Sequence, residues 1–195
     1  MFAAVRTWNW LIKRRVDVSM KDEQAKTLEA VQFAIRMEID GGKYYEKVSQ
    51  ESNNRVGKDL FQWLAAEEDK HRQRFERIYK SIESSEVWHE IGIQSEKSEG
   101  MATLFASAME AGKPEGKITN TELEAIGSAM DMENKTHDFY AGRGKEAVYE
   151  NEKKFYEALA AEERGHYLAL VDYREYLIDP GGWFSKAEHH SLDGG

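Results

Sequence analysis

Apolar residues in this chain recur every three or four positions along four long stretches. That period places them on one face of a helix. Leu28, Val31, Ile35 and Tyr45 mark a first stripe; Leu60, Leu64, Phe75, Ile78 and Ile82 mark a second. Leu123, Ile126, Met130 and Tyr140 mark a third, and Phe155, Leu159, Leu170, Tyr173 and Leu177 a fourth. The spacing predicts helices over about 22–52, 55–83, 120–148 and 151–178. Turns near Gly57 and near Glu150-Asn151 make each consecutive pair an antiparallel hairpin. Between the pairs, Gly100, Gly112, Pro114 and Gly116 punctuate a long crossover, with room for a short helix near Met101–Ala111. Asp179-Pro180-Gly181-Gly182 stops the last helix. The expected fold is all-α, a four-helix bundle of two hairpins over residues 21–179. An amphipathic extension (1–20) precedes it and a tail (180–195) follows.

The two hairpins repeat each other at a constant offset of 95 residues, most visibly as LAAEEDKH from Leu64 and LAAEERGH from Leu159. Glu38 aligns with Glu133, Glu68 with Glu163, and His71 with His166, as do the apolar positions around them. Two hairpins of one pattern imply a bundle with a pseudo-twofold axis. Neither hairpin buries its apolar stripe alone.

The six aligned polar residues lie within the stripes. Burying one unpaired carboxylate costs several kcal/mol or forces its protonation. Single buried glutamates are commonly hydrogen-bonded or protonated, but four in register need positive charge, and no Lys or Arg falls on the stripes at these levels. A pair of divalent or trivalent ions meets that need. Glu-x-x-His presents both side chains one turn apart on one side of a helix, and a carboxylate–imidazole donor set suits iron or manganese. Glu67 and Glu162 belong to the repeated words but point off the stripe, as solvated or outer carboxylates.

Composition narrows the partners. A net charge of −9 argues against nucleic acid, whose phosphates need a basic surface. The absence of cysteine removes disulfides, thiolate sites and iron–sulfur clusters from this chain, and fits a cytoplasmic setting. No apolar run reaches the roughly 18 residues that span a bilayer. Val5, Trp8, Ile12 and Val16, with Lys13-Arg14-Arg15 beside them, form a short amphipathic pattern for packing on the bundle or lying on a membrane surface. His189 and His190 have no spaced partner and read as tail or subunit contact, and Trp183-Phe184 as a segment packing back on the bundle or on a second subunit.

Glu38, Glu68-Asp69-Lys70-His71, Glu133 and Glu163-Arg164-Gly165-His166 resemble the dinuclear iron site of the ferritin-like superfamily, and the tandem halves most resemble its rubrerythrin and erythrin branch. The resemblance covers about residues 22–178. It implies a ferritin-like bundle holding two iron ions, with manganese or a mixed pair as the alternative. Glu68 and Glu163 would bridge or chelate, Glu38 and Glu133 would be terminal, and His71 and His166 would supply nitrogen. It further implies reduction of hydrogen peroxide or O2 in oxidative-stress defence, by a homodimer that a long crossover allows to be domain-swapped. The alternatives are a ferroxidase or iron-storage protein, and a bundle that metal merely stabilises. Two departures stand out. Rubrerythrins carry a cysteine-rich rubredoxin domain, so electrons here must come from an external donor such as a rubredoxin-like protein. They also carry an extra glutamate one turn along the third helix, where this chain has Thr136, with Gly41 as its repeat partner. His137, whose repeat partner is Gly42, is expected on the core face, either as a buried histidine with one ordinary hydrogen bond or filling the space over that glycine as an outer or switching ligand. Tyr45 and Tyr140, roughly 10 Å along the axis from their glutamates, are expected nearby as packing residues or outer groups.

Overall fold

The computed structural model describes the backbone of residues 2–84 and 119–185, with side chains from residue 24 onward within those spans. Five helices occupy them: α1 (Phe2–Glu51), α2 (Arg55–Glu83), α3 (Asn120–Glu146), α4 (Glu150–Ile178) and α5 (Pro180–Ser185). The crossover, its expected short helix, and His189 and His190 lie outside the described residues. The four expected helices are present with bounds close to those predicted, except at the start. There α1 runs unbroken from Phe2 rather than from about 22, because no proline or glycine interrupts the chain before Gly41. No described helix is long and apolar enough to cross a membrane.

Capping sets the hairpin turns. Asn54 caps α2, its side chain accepting from Gly57 N at 3.3 Å. Thr119 caps α3 through Glu122 N at 3.2 Å. The first turn of the bundle is therefore Ser52–Asn54, and Gly57 sits inside α2, not in the turn as its glycine character suggested. Its role is clearance. A Cβ there would lie 2.1 Å from the Tyr173 hydroxyl and 2.7 Å from Ser52 Oγ. Both hydroxyls donate to Glu122 Oε1, at 2.7 Å and 2.8 Å, tying α4 and the α1–α2 turn to α3.

α1 packs along α2 and α3 along α4. The hairpins then close on each other through two apolar clusters. One gathers Tyr45, Leu60, Phe61, Leu64, Ile126 and Tyr173, among others. The other gathers Val31, Phe75, Ile78, Tyr140, Phe155 and Leu159. The offset of 95 exchanges them: Leu64 of the first becomes Leu159 of the second, and Phe75 of the second becomes Leu170 of the first. The symmetry axis therefore passes between the clusters, through the layer that holds the repeated glutamates and histidines. At the far end the Asp179 side chain caps α5 at Gly182 N, 3.0 Å. Trp183 is then buried against Tyr176, so residues 180–185 of the expected tail pack on the bundle.

Gly57→Ala should push Tyr173 off Glu122 and cost about 2–4 kcal/mol, combining overpacking with a lost hydrogen bond. A lowered urea midpoint with an unchanged m-value is the expected result.

Candidate metal centre

α1 brings Glu38 into the central layer, α2 brings Glu68 and His71, α3 brings Glu133, and α4 brings Glu163 and His166. None is more than 5% exposed. Their donor atoms form two overlapping groups in which every atom lies within 4.8 Å of the others. Glu38, Glu68, His71 and Glu163 make one; Glu68, Glu133, Glu163 and His166 make the other. Glu68 and Glu163 belong to both. His71 Nδ1 lies 3.0 Å from Glu163 Oε1 and 3.5 Å from Glu38 Oε2. His166 Nδ1 lies 3.5 Å from Glu163 Oε2 and 3.7 Å from Glu133 Oε2. The two imidazoles stack with centroids 5.5 Å apart. All six residues named from the sequence converge.

Their polar atoms are held close without being satisfied. Glu38 Oε2, both Glu163 oxygens and Nδ1 of each histidine are buried with no hydrogen-bond partner. Native interiors rarely leave such atoms unpaired, so five in one layer fit a cation. Among the described residues no Lys or Arg pairs with any of the six. Charge is instead balanced by protons. Burial, with Glu38 and Glu163 alongside, pushes the Glu68 carboxyl well above its usual range. Burial beside Glu163 raises Glu133 to about 8, against the pull of His166. Burial alone would lower the histidines, but carboxylates outweigh it: Glu162 and Glu163 hold His71 well above its ordinary value, and Glu133 and Glu163 hold His166 at about 10. Glu163, between both imidazoles, is held well below its ordinary value despite its burial. A metal ion would displace these protons, since its ligands must be deprotonated. The donor set is that of iron or manganese.

The sequence profile of the Rubrerythrin family matches residues 29–172. The chain belongs to the rubrerythrin family. No curated protein and no solved structure matches it.

Around this rubrerythrin centre the two tyrosines reach across the bundle rather than along their own helices. Tyr45 Oη donates to Glu133 Oε1, and Tyr140 Oη donates to Glu38 Oε1. The antiparallel pairing of α1 with α3 creates these contacts, because seven residues along one helix match seven back along the other. Burial, with Glu133 alongside, keeps the Tyr45 phenol well above its ordinary value. Glu162, read from sequence as solvated or outer, accepts from His71 Nε2 at 2.8 Å and from Arg74 Nη1 at 2.7 Å. Arg74 was not foreseen, because its repeat partner is Ala169 and the repeat hides it.

His137 is corrected. Its side chain is 36% exposed and its Nδ1 lies 3.0 Å from Asp138 Oδ1. It lines a surface groove with Gly144, Ala160 and Arg164 and belongs to neither donor group. The space over Gly42 is taken by Glu68 Cβ and the Ala65 carbonyl. Position 137 is rotated from Glu133 toward α4, whereas Thr136 is rotated toward α1. Thr136 and Gly41 help line a cavity of about 300 Å³ that reaches Glu68 and Glu133, with Met37 and Met132 on its walls. A Cβ at Gly41 would stand 3.4 Å from Glu68 Cδ. Thr136, in place of the extra carboxylate, and Gly41, its repeat partner, thus leave room beside Glu68 and Glu133.

The raised Glu133 and His166 make the metal-free fold pH-sensitive. Between pH 6 and 8.5 the folded chain holds protons that an unfolded glutamate or histidine would have released. Stability must therefore fall as pH rises through that window. Glu163, depressed well below 4.5, keeps its contribution constant there. Calorimetry should show the Tm of metal-free protein dropping by several degrees from pH 6 to 8.5, while metal-loaded protein resists the drop and releases at least one proton per chain on loading. A metal-free Tm that rises with pH would contradict this balance.

Proposed function

We propose that the six buried side chains hold two iron ions and that the protein reduces hydrogen peroxide to water with electrons from a separate donor. The observation that carries this reading is the pair of overlapping groups, each of three glutamates and one histidine, in a chain of the rubrerythrin family. Two irons held there would supply two electrons at one place, one from each ion. The reaction breaks the O–O bond of H2O2, consumes two electrons and two protons, and releases two waters. The chain's own residues prepare the place for it. Glu68 and Glu163 belong to both donor groups and would be shared between the two ions, while Glu38 and Glu133 would each serve one. Tyr45 and Tyr140 fix the rotamers of the end glutamates by donating across the hairpins. The cavity between α1 and α3, of about 300 Å³, is wide enough for a molecule the size of peroxide and reaches Glu68 and Glu133. These 195 residues hold no cysteine and so no rubredoxin-type iron centre, and we assign the electron supply to a one-electron carrier such as a rubredoxin-like protein.

A second reading, ferroxidase activity with O2 as oxidant, draws on Thr136, which stands where rubrerythrin peroxidases are expected to place an additional carboxylate. Elemental analysis followed by rapid mixing of the reduced protein with H2O2 and O2 separately decides between them. About two irons per chain and oxidation by peroxide at least tenfold faster than by O2 are expected. If O2 reacts as fast or faster, the peroxidase reading fails, and retention of many irons per chain would favour storage.

Filling the cavity should separate access from metal binding. Gly41→Leu extends a side chain past Glu68 into the cavity. Metal content should stay near that of the unsubstituted chain while the peroxide rate drops at least tenfold in stopped-flow absorbance.

A further inference from the structure

LAAEEDKH and LAAEERGH differ where each histidine is held from behind. Both imidazoles turn Nδ1 toward the cluster, which leaves Nε2 for an outer partner. His71 Nε2 meets Glu162 Oε2 at 2.8 Å, and Arg74 Nη1 donates to that same oxygen at 2.7 Å. Glu67 occupies the corresponding place in the other half, but Lys70 Nζ takes it at 2.8 Å. Among the described residues His166 Nε2 meets no carboxylate. The ring of His166 instead lies edge-to-face with Trp63, at a centroid distance of 5.3 Å.

Two differences between the halves produce this. Lys70 is replaced by Gly165 in the repeat, so Glu162 has no lysine three residues on and reaches across to His71. Arg74 is replaced by Ala169, which is fully buried and offers no clamp. Net charge does not distinguish the halves, because each outer carboxylate has one cation. The hydrogen bond to the imidazole does. Donating the remote N–H of a ligating histidine to a carboxylate fixes its tautomer and ring orientation and makes it a better base, and losing that partner typically lowers metal affinity 10–100-fold. A second observation points the same way. The cavity between α1 and α3 is lined by Glu133 and by the shared Glu68, so it lies against the end glutamate of the half without the clamp.

We infer that the two metal positions are unequal, with a tight one at Glu38–His71 and a weaker one at Glu133–His166 through which metal enters and exchanges, and that Glu162 is the positioning residue that separates them. This rests on the reading that the cluster holds two ions, and the test distinguishes the two failures. Metal-free protein is titrated with Mn2+ while free Mn2+ is followed by its EPR signal. Two binding steps with dissociation constants at least tenfold apart are expected. Crystals given one equivalent of Mn2+ should show their anomalous peak at Glu38–His71. Glu162→Ala should weaken the tight step about 10–100-fold and leave the weaker step within twofold, whereas Glu162→Gln, which retains an acceptor for the imidazole N–H, should preserve most of the separation. Equal affinities, equal anomalous peaks in half-loaded crystals, or a tight step unmoved by Glu162→Ala would overturn the inference. A capacity of only one Mn2+ per chain would overturn the two-ion reading itself. The half-loaded crystals use the unsubstituted chain, so the outcome does not depend on any variant folding.

Discussion

Four carboxylates in one dry layer are the constraint on which the rest of this structure depends. Each of Glu38, Glu68, Glu133 and Glu163 is almost wholly withdrawn from water, and mutual repulsion across a few ångströms is severe in a low-dielectric interior. Without cations the layer survives by keeping protons, on Glu133 and on both histidines above all. Protonation at this level is a substitute for metal. The same bundle that excludes water to make the layer therefore also shapes it for multivalent cations, since among the described residues no Lys or Arg pairs with its carboxylates.

The symmetry of the fold distributes that strain. Apolar clusters lie on both sides of the layer, so hydrophobic burial on each side stabilises the hairpin contact that forces the carboxylates together. The tyrosine contacts across α1 and α3 are the polar counterpart. Each phenol of one hairpin holds the end glutamate of the other, so neither hairpin completes its half of the centre alone. This couples assembly of the bundle to assembly of the site.

Pseudosymmetry also makes departures from it informative. Lys70 against Gly165 and Arg74 against Ala169 look like surface drift in an alignment of the two halves. In three dimensions they redirect two outer glutamates, one to a neighbouring lysine and the other to a histidine on the opposite helix. A duplicated site can thus acquire two different metal positions without changing any of the six ligand candidates. The cavity over Glu68 and Glu133 breaks the symmetry again, on the same side.

Much was legible in the chain because it depends on periodicity and repetition. Helix positions, the two hairpins and the convergence of Glu38, Glu68, His71, Glu133, Glu163 and His166 follow from side chains three and four apart on a buried face, which local geometry imposes whatever surrounds it. What failed or was missed depended on the angle between helices. His137 seemed to share the face of Glu133, yet one residue's rotation sends it to a groove beside α4 and turns Thr136 to the cavity. Gly57 signalled a turn, but its missing side chain makes room for a tyrosine from another hairpin. Arg74 carried no motif, and only packing of α2 on α4 brings it to Glu162. The sequence by itself determined which stripe of each helix turns inward and that the six repeated glutamates and histidines lie on it, since that is a property of each helix, whereas Glu67, read off the stripe, is buried and His137 is half exposed. The tertiary structure alone decided which outer groups hold the six, because those contacts join residues about ninety positions apart, and local spacing carries no information about them.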